Sequence, residues 1–148
     1  NPEAFNSIEF DSHCTRPVTE FVMEQSNEMR LGLKNIKIEK DSLAAKAYLA
    51  LQHDKANEEA LVVQERHRHR FQVVNDVLYS IGRDATMRYS GWNMTEDIPE
   101  IMESTVEGWW AIGTQFHPEY LSRNDRPHPL FVEFIKQSEL QSSALQNE

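Results

Sequence analysis

Two stretches of this 148-residue chain carry side chains whose types and spacing could do chemistry. In "QFHPEYLSR", residues 115–123, His117 and Glu119 stand two positions apart with Pro118 between them and the apolar "WWAIG" just before. A carboxylate that accepts a hydrogen bond from one imidazole nitrogen fixes the tautomer. The other nitrogen is then left to exchange a proton with a thiol or hydroxyl. Residues i and i+2 of a strand project to one side, so the two groups can pair if strand geometry persists past Pro118. Taken alone, His-x-Glu is a weak pattern, because a histidine near a strand end also serves at surfaces and in packing.

The second stretch is "QERHRHRFQ", in which Arg66 through Arg70 are all basic or titratable in an otherwise acidic chain. On a strand Arg66, Arg68 and Arg70 face one way, His67 and His69 the other. Three readings stand side by side. A charged edge strand discourages aggregation. A His67/His69 pair could ligate a metal, although neither lies beside another ligand at the usual spacing. An arginine held rigidly at a strand end is a planar fork that binds a carboxylate or phosphate through parallel hydrogen bonds.

A nucleophile is harder to find. The single cysteine, Cys14, lies in "SHCTRP". A nucleophile elbow needs small neighbours at a sharp turn with a backbone N–H beside the thiol. No glycine is present here, and Arg16-Pro17 favours extended backbone, so Cys14 reads as an incidental thiol in a loop. With one cysteine the chain forms no internal disulfide, which is compatible with a reducing compartment.

These groups need a scaffold, and 148 residues suffice for one domain with a sizeable core. The domain is assigned to residues 1–137, with "SELQSSALQNE" as a polar tail over 138–148. Fifteen Lys and Arg against 24 Asp and Glu give a net charge of −9, which argues against nucleic acid or an anionic membrane as the main partner. The sequence signals neither a membrane span nor a secretion leader, so a cytoplasmic location is expected. "TEFVMEQ" (19–25), "MRLGLKNIKI" (29–38), "LVVQERHRHRFQVV" (61–74), "TMRYSGW" (86–92) and "WWAIGTQF" (109–116) read as strands, the last buried on both faces. "DSLAAKAYLALQ" (41–52) reads as a helix capped by Asp41 or Ser42, and "NDVLYSIGRD" (75–84) as a helix between Asn75 and Gly82. "PHPLFVEFIKQSEL" (127–140) predicts a closing helix whose stripe of Leu130, Phe131, Phe134 and Ile135 packs on the sheet. Alternating strands and helices predict an α/β fold with a largely parallel sheet.

Five segments in order, "NSIEFD", "MRLGL", "QERHRHRF", "QFHPEYLSR" and "PHPLFVEFI", resemble the C-terminal part of the class I glutamine amidotransferase domain of the CTP synthase family. "QFHPE" is shared across class I amidotransferases, while "RHRHR" with "MRLG" narrows the match, which runs from residue 5 to about 137. The resemblance implies part of a flavodoxin-like domain with a largely parallel sheet. It implies that His117 and Glu119 complete a Cys-His-Glu triad, that Glu9 binds the amino group of glutamine, and that Arg70 holds the glutamine α-carboxylate. It places Arg30 near the region where the activator GTP acts.

The same resemblance implies that a glycine-rich strand and a Gly-x-Cys-x-Gly elbow precede Asn1, so the chain alone carries half a glutaminase site. The partners implied are glutamine, the remaining half of the amidotransferase domain and a separate synthase domain, in a homo-oligomeric parent that uses ATP, magnesium and GTP. No cofactor or metal is implied for this chain itself. The family pattern has Gly-Gly-Thr before M-R-L-G, where this chain has Ser26-Asn27-Glu28, and Thr where it has Ile8. The alternatives from other classes are a catalytically dead amidotransferase-like regulatory or binding module, and another class I amidotransferase or a γ-glutamyl hydrolase.

Overall fold

The structure, a computed structural model, describes residues 6–21, 29–51, 61–74, 86–95 and 98–145. In chain order the elements are β1 (Thr19–Phe21), β2 (Arg30–Ile38), α1 (Leu43–Leu49), β3 (Leu61–His69), β4 (Phe71–Val73), β5 (Met87–Asn93), β6 (Pro99–Ser104), β7 (Ile112–Thr114), a 3-10 turn (Pro118–Tyr120) and α2 (Pro129–Leu145). They form a five-stranded sheet in the order β3-β2-β5-β6-β7 and a two-stranded sheet of β1 and β4.

The long β2–β3 ladder shows how the sequence divides the sheet into an apolar and a polar end. Ile38 faces Leu61, Ile36 faces Val63, Gly32 faces His67 and Arg30 faces His69. Alternation turns Leu61, Val63, Glu65 and His67 inward and leaves Val62, Gln64, Arg66 and Arg68 exposed. The apolar end is covered by α1, which presents Ala44, Ala45, Ala47 and Tyr48 to Ile36, Ile38 and Ile101. Ser42 caps this helix by accepting from the Ala45 N–H at 2.8 Å. On β5, Gly91 is required by contact, because a Cβ there would stand 2.8 Å from the Ile101 side chain.

The expected parallel sheet is corrected by these pairings: every ladder among the described strands is antiparallel. A parallel crossover needs a helix that returns along the strand it follows. The nine residues of β2 span about 30 Å, whereas the seven of α1 span about 10 Å. β3 enters beside the end of β2, with Leu61 opposite Ile38, and runs back along it. The alternation of elements was genuine, but it did not carry strand direction.

Three further expectations change. The strand expected over 61–74 breaks at Arg70 into β3 and β4, which join different sheets. "WWAIGTQF" is not buried on both faces: only Ile112–Thr114 is strand, β7 stands at the end of the sheet, Trp109 is exposed, and Phe116 is the buried member. In α2 only Leu130 of the apolar stripe is buried, while Phe131, Phe134 and Ile135 are exposed. Helix α1 already covers the sheet there, so α2 packs against α1. The strand β6, "PEIMES", has no counterpart in the sequence reading. Residues 22–28 and the helix expected at 75–84 lie outside the described residues.

Candidate active site

His117 leaves the sheet in an extended conformation, φ −108° and ψ 90°, and Pro118 opens the 3-10 turn that follows. Strand geometry therefore ends at Pro118, and the turn rather than a continuing strand swings Glu119 back. The result is the same pair: His117 Nδ1 stands 2.7 Å from Glu119 Oε1. An ionised carboxylate only accepts, so Nδ1 carries the proton and Nε2 keeps its lone pair. Slight burial pushes the Glu119 carboxyl up, but its own backbone N–H and the His117 ring outweigh this and hold it below the ordinary carboxylate range. It stays ionised at neutral pH, as an orienting group must.

The dyad is partly open, with side-chain exposures of 36 % for His117 and 53 % for Glu119. Tyr120 stacks on the imidazole, its centroid 4.9 Å away and its plane tilted by 24°. Two backbone bonds pin the segment: His117 N–H donates to Arg66 O at 2.8 Å, and Gln115 N–H donates to Glu100 O at 2.9 Å.

Arg70 is exposed at the bend between β3 and β4, and Glu9 is exposed in the turn after Ser7. The β1–β4 ladder joins their neighbourhoods, with Phe21 opposite Phe71 and the Ser7 and Thr19 hydroxyls 2.8 Å apart. Among the described residues, Glu9 and Arg70 form no ion pair with each other or with the dyad. Arg30 is buried, 4 % exposed, and its guanidinium lies 2.6 Å from Glu100. Cys14 directs its Sγ at the Asn6 carbonyl, 3.6 Å away, and not at an imidazole.

The two histidines of "RHRHR" each bond within the fold. His67 Nδ1 faces the Glu65 carbonyl at 3.1 Å and its Nε2 faces Glu100 at 2.9 Å, so neither nitrogen is available. His69 Nδ1 donates to the Phe71 carbonyl at 2.7 Å. Burial lowers the His69 pKa; the Phe71 bond opposes this, the His67 and Arg30 charges add to it, and Glu100 counters. Among the described residues no group of three His, Cys, Asp or Glu could hold a metal ion.

Sequence reasoning missed three buried carboxylates around this site. Glu65 receives the Tyr48 hydroxyl at 2.6 Å and His128 Nε2 at 2.9 Å. Burial, the Glu65 charge and that hydrogen bond push the Tyr48 phenol far up, so it remains a donor. Glu103 receives two guanidinium N–H groups of Arg88 at 2.8 and 3.1 Å, the Ser90 hydroxyl at 2.8 Å and the Ala44 N–H at 3.1 Å. Glu100 holds Arg30 and His67. A buried carboxylate is tolerable only with such donors. For Glu100 and Glu103 the one signal available was "PEIMES" itself, and for Glu65 its place in "QERHRHRF"; such acids look solvated until their partners are known.

An imidazole whose Nδ1 is held by a carboxylate can exchange protons through Nε2. The glutamine amidotransferase class-I family profile matches residues 17–137, and the chain belongs to this family. Within it, the chain is similar to CTP synthases. It is 40 % identical over 140 residues to the CTP synthase of Treponema denticola, covering 90 % of this chain and 24 % of the relative. Against that of Salinibacter ruber it is 39 % identical over 137 residues, covering 88 % and 22 %. A solved structure described as the Trypanosoma brucei CTPS glutaminase domain with bound acivicin superposes with a TM-score of 0.72 at 26 % identity, covering 91 % of this chain and 50 % of that one. The chain thus spans about a quarter of the length of these synthases.

Proposed function

We propose that this chain supplies the acid–base half of the glutaminase site of a CTP synthase. The observation that carries the reading is the 2.7 Å bond from His117 Nδ1 to Glu119, which leaves Nε2 free on a turn pinned to β3. In this reading a cysteine outside the chain attacks the side-chain amide of glutamine. His117 Nε2 takes the proton of the attacking thiol, hands it to the leaving ammonia and then draws one from the water that opens the thioester, returning it to the departing thiolate, while Glu119 holds the ring and offsets its charge. Arg70 would take the glutamine α-carboxylate through its planar fork and Glu9 the α-ammonium, and the exposure of both leaves them accessible.

The released ammonia would pass to a synthase domain that uses ATP and magnesium to convert UTP to CTP. Cytoplasmic residence, homo-oligomeric assembly and a response to GTP belong to the same proposal. The region around the buried Arg30 is part of the GTP response in this reading. No helix among the described residues is long and apolar enough to cross a membrane.

The test compares nitrogen donors in the full-length protein. His117→Ala should lower glutamine-dependent CTP formation by about 10²- to 10⁴-fold while synthesis from free ammonia continues. Full glutamine use by this variant would overturn the proposal.

A further inference from the structure

The dyad segment hangs from two strands that are not neighbours. β3 supplies the Arg66 carbonyl that takes His117 N–H, and β6 supplies the Glu100 carbonyl that takes Gln115 N–H. In the sheet β2 and β5 lie between them, so no direct backbone ladder joins β3 to β6. A side-chain bridge does. The Glu100 carboxylate receives His67 Nε2 of β3 at 2.9 Å on one oxygen and faces Arg30 of β2 at 2.6 Å with the other, all three side chains being 2 % exposed or less. His67 is the immediate neighbour of Arg66, and Glu100 uses its own carbonyl for the second tether. Replacing a buried ionic cluster with apolar side chains is often neutral for folding, so stability alone does not account for a carboxylate here.

We propose that Glu100 is a positioning residue for glutamine hydrolysis: by joining β6 to β3 across two intervening strands, it sets where His117 stands. The inference rests on the reading of His117 as the acid–base group. The arrangement acts on proton transfer more than on binding, because both tethers lead to the dyad segment, whereas Arg70 lies past the paired residues of β3 at the bend into the second sheet and Glu9 lies outside both strands.

The experiment uses the full-length protein with glutamine and with free ammonia. Glu100→Gln should lower kcat with glutamine about 10- to 100-fold, as a small misplacement of an acid–base group does. The KM for glutamine should change less than about threefold, as befits a loss that leaves substrate binding in place. The ammonia reaction should be unaffected. An unchanged glutamine kcat, or an equal loss with both donors, overturns the proposal.

Because Glu100→Gln strips a buried guanidinium of its counter-charge, it could fail to fold. His67→Phe then decides, since it keeps a ring against Phe116 and leaves the Arg30–Glu100 pair intact. It should show the same fall in kcat with KM held, and a full kcat would sink the idea. His117→Ala beside these variants separates the two claims. If it retains glutamine use, the dyad reading has failed; if it is inactive while the Glu100 and His67 variants run at full kcat, only the positioning role has.

Discussion

The backbone N–H of His117 donates to the carbonyl of Arg66 at 2.8 Å, which ties the imidazole to the strand that ends at the bend carrying Arg70. The imidazole and the Arg70 guanidinium are thus both anchored to β3, one by a backbone hydrogen bond and the other at the bend that follows it. Its inward row is held in turn by Tyr48, His128 and Glu100. Rigid strands hold such groups more closely than loops do.

Glu119 orients His117 rather than touching substrate, so its replacement should be milder than loss of the ring. Glu119→Gln keeps an oxygen that can accept from Nδ1 but removes the charge. The expected fall in glutamine-dependent kcat is about tenfold, near the lower end for a charge-assisted bond because the carboxylate is half exposed. Steady-state rates with both nitrogen donors check it, and no change in kcat would remove Glu119 from the site.

Arg70→Lys retains the charge but not the fork. In the full-length protein it should weaken glutamine use by about 1.5–3 kcal/mol and leave ammonia-dependent synthesis nearly intact. Equal losses with the two donors would make Arg70 a structural residue.

Cys14→Ser should leave glutamine-dependent activity within about twofold of the parent, since the half-buried thiol's contact is a backbone carbonyl that a hydroxyl can also donate to. The rate of glutamate release is the readout. Its disappearance would make Cys14 the nucleophile and redraw the site.

His69 links stability to pH. Burial holds its folded-state pKa below the unfolded value near 6.5, so the unfolded chain binds the proton more readily. The stabilisation it gives is present in full above about pH 6.5 and is lost as pH falls through that value toward the folded pKa. The Tm should therefore drop between about pH 7.5 and 5.5, and less steeply in His69→Gln. Parallel melting curves for the two proteins across that range would exclude His69 as the source.

What the sequence determined was local. The pairing of His117 with Glu119 needed only two residues of separation and a proline. The capping of α1 by Ser42 and the in–out alternation of Leu61 to His67 likewise follow from contacts within one or a few turns of chain. What only the tertiary structure decided was how distant segments meet. Strand direction is set by which residues of β2 and β3 pair, with Ile38 opposite Leu61 and Arg30 opposite His69, a long-range register that no local pattern carries. The burial of Glu100 and Glu103 depended on His67, 33 positions from the first, and on Ala44, 59 positions from the second. An acidic side chain reads as solvated until its donors are in place, because burial of its charge becomes tolerable only when the fold brings those donors within hydrogen-bond reach.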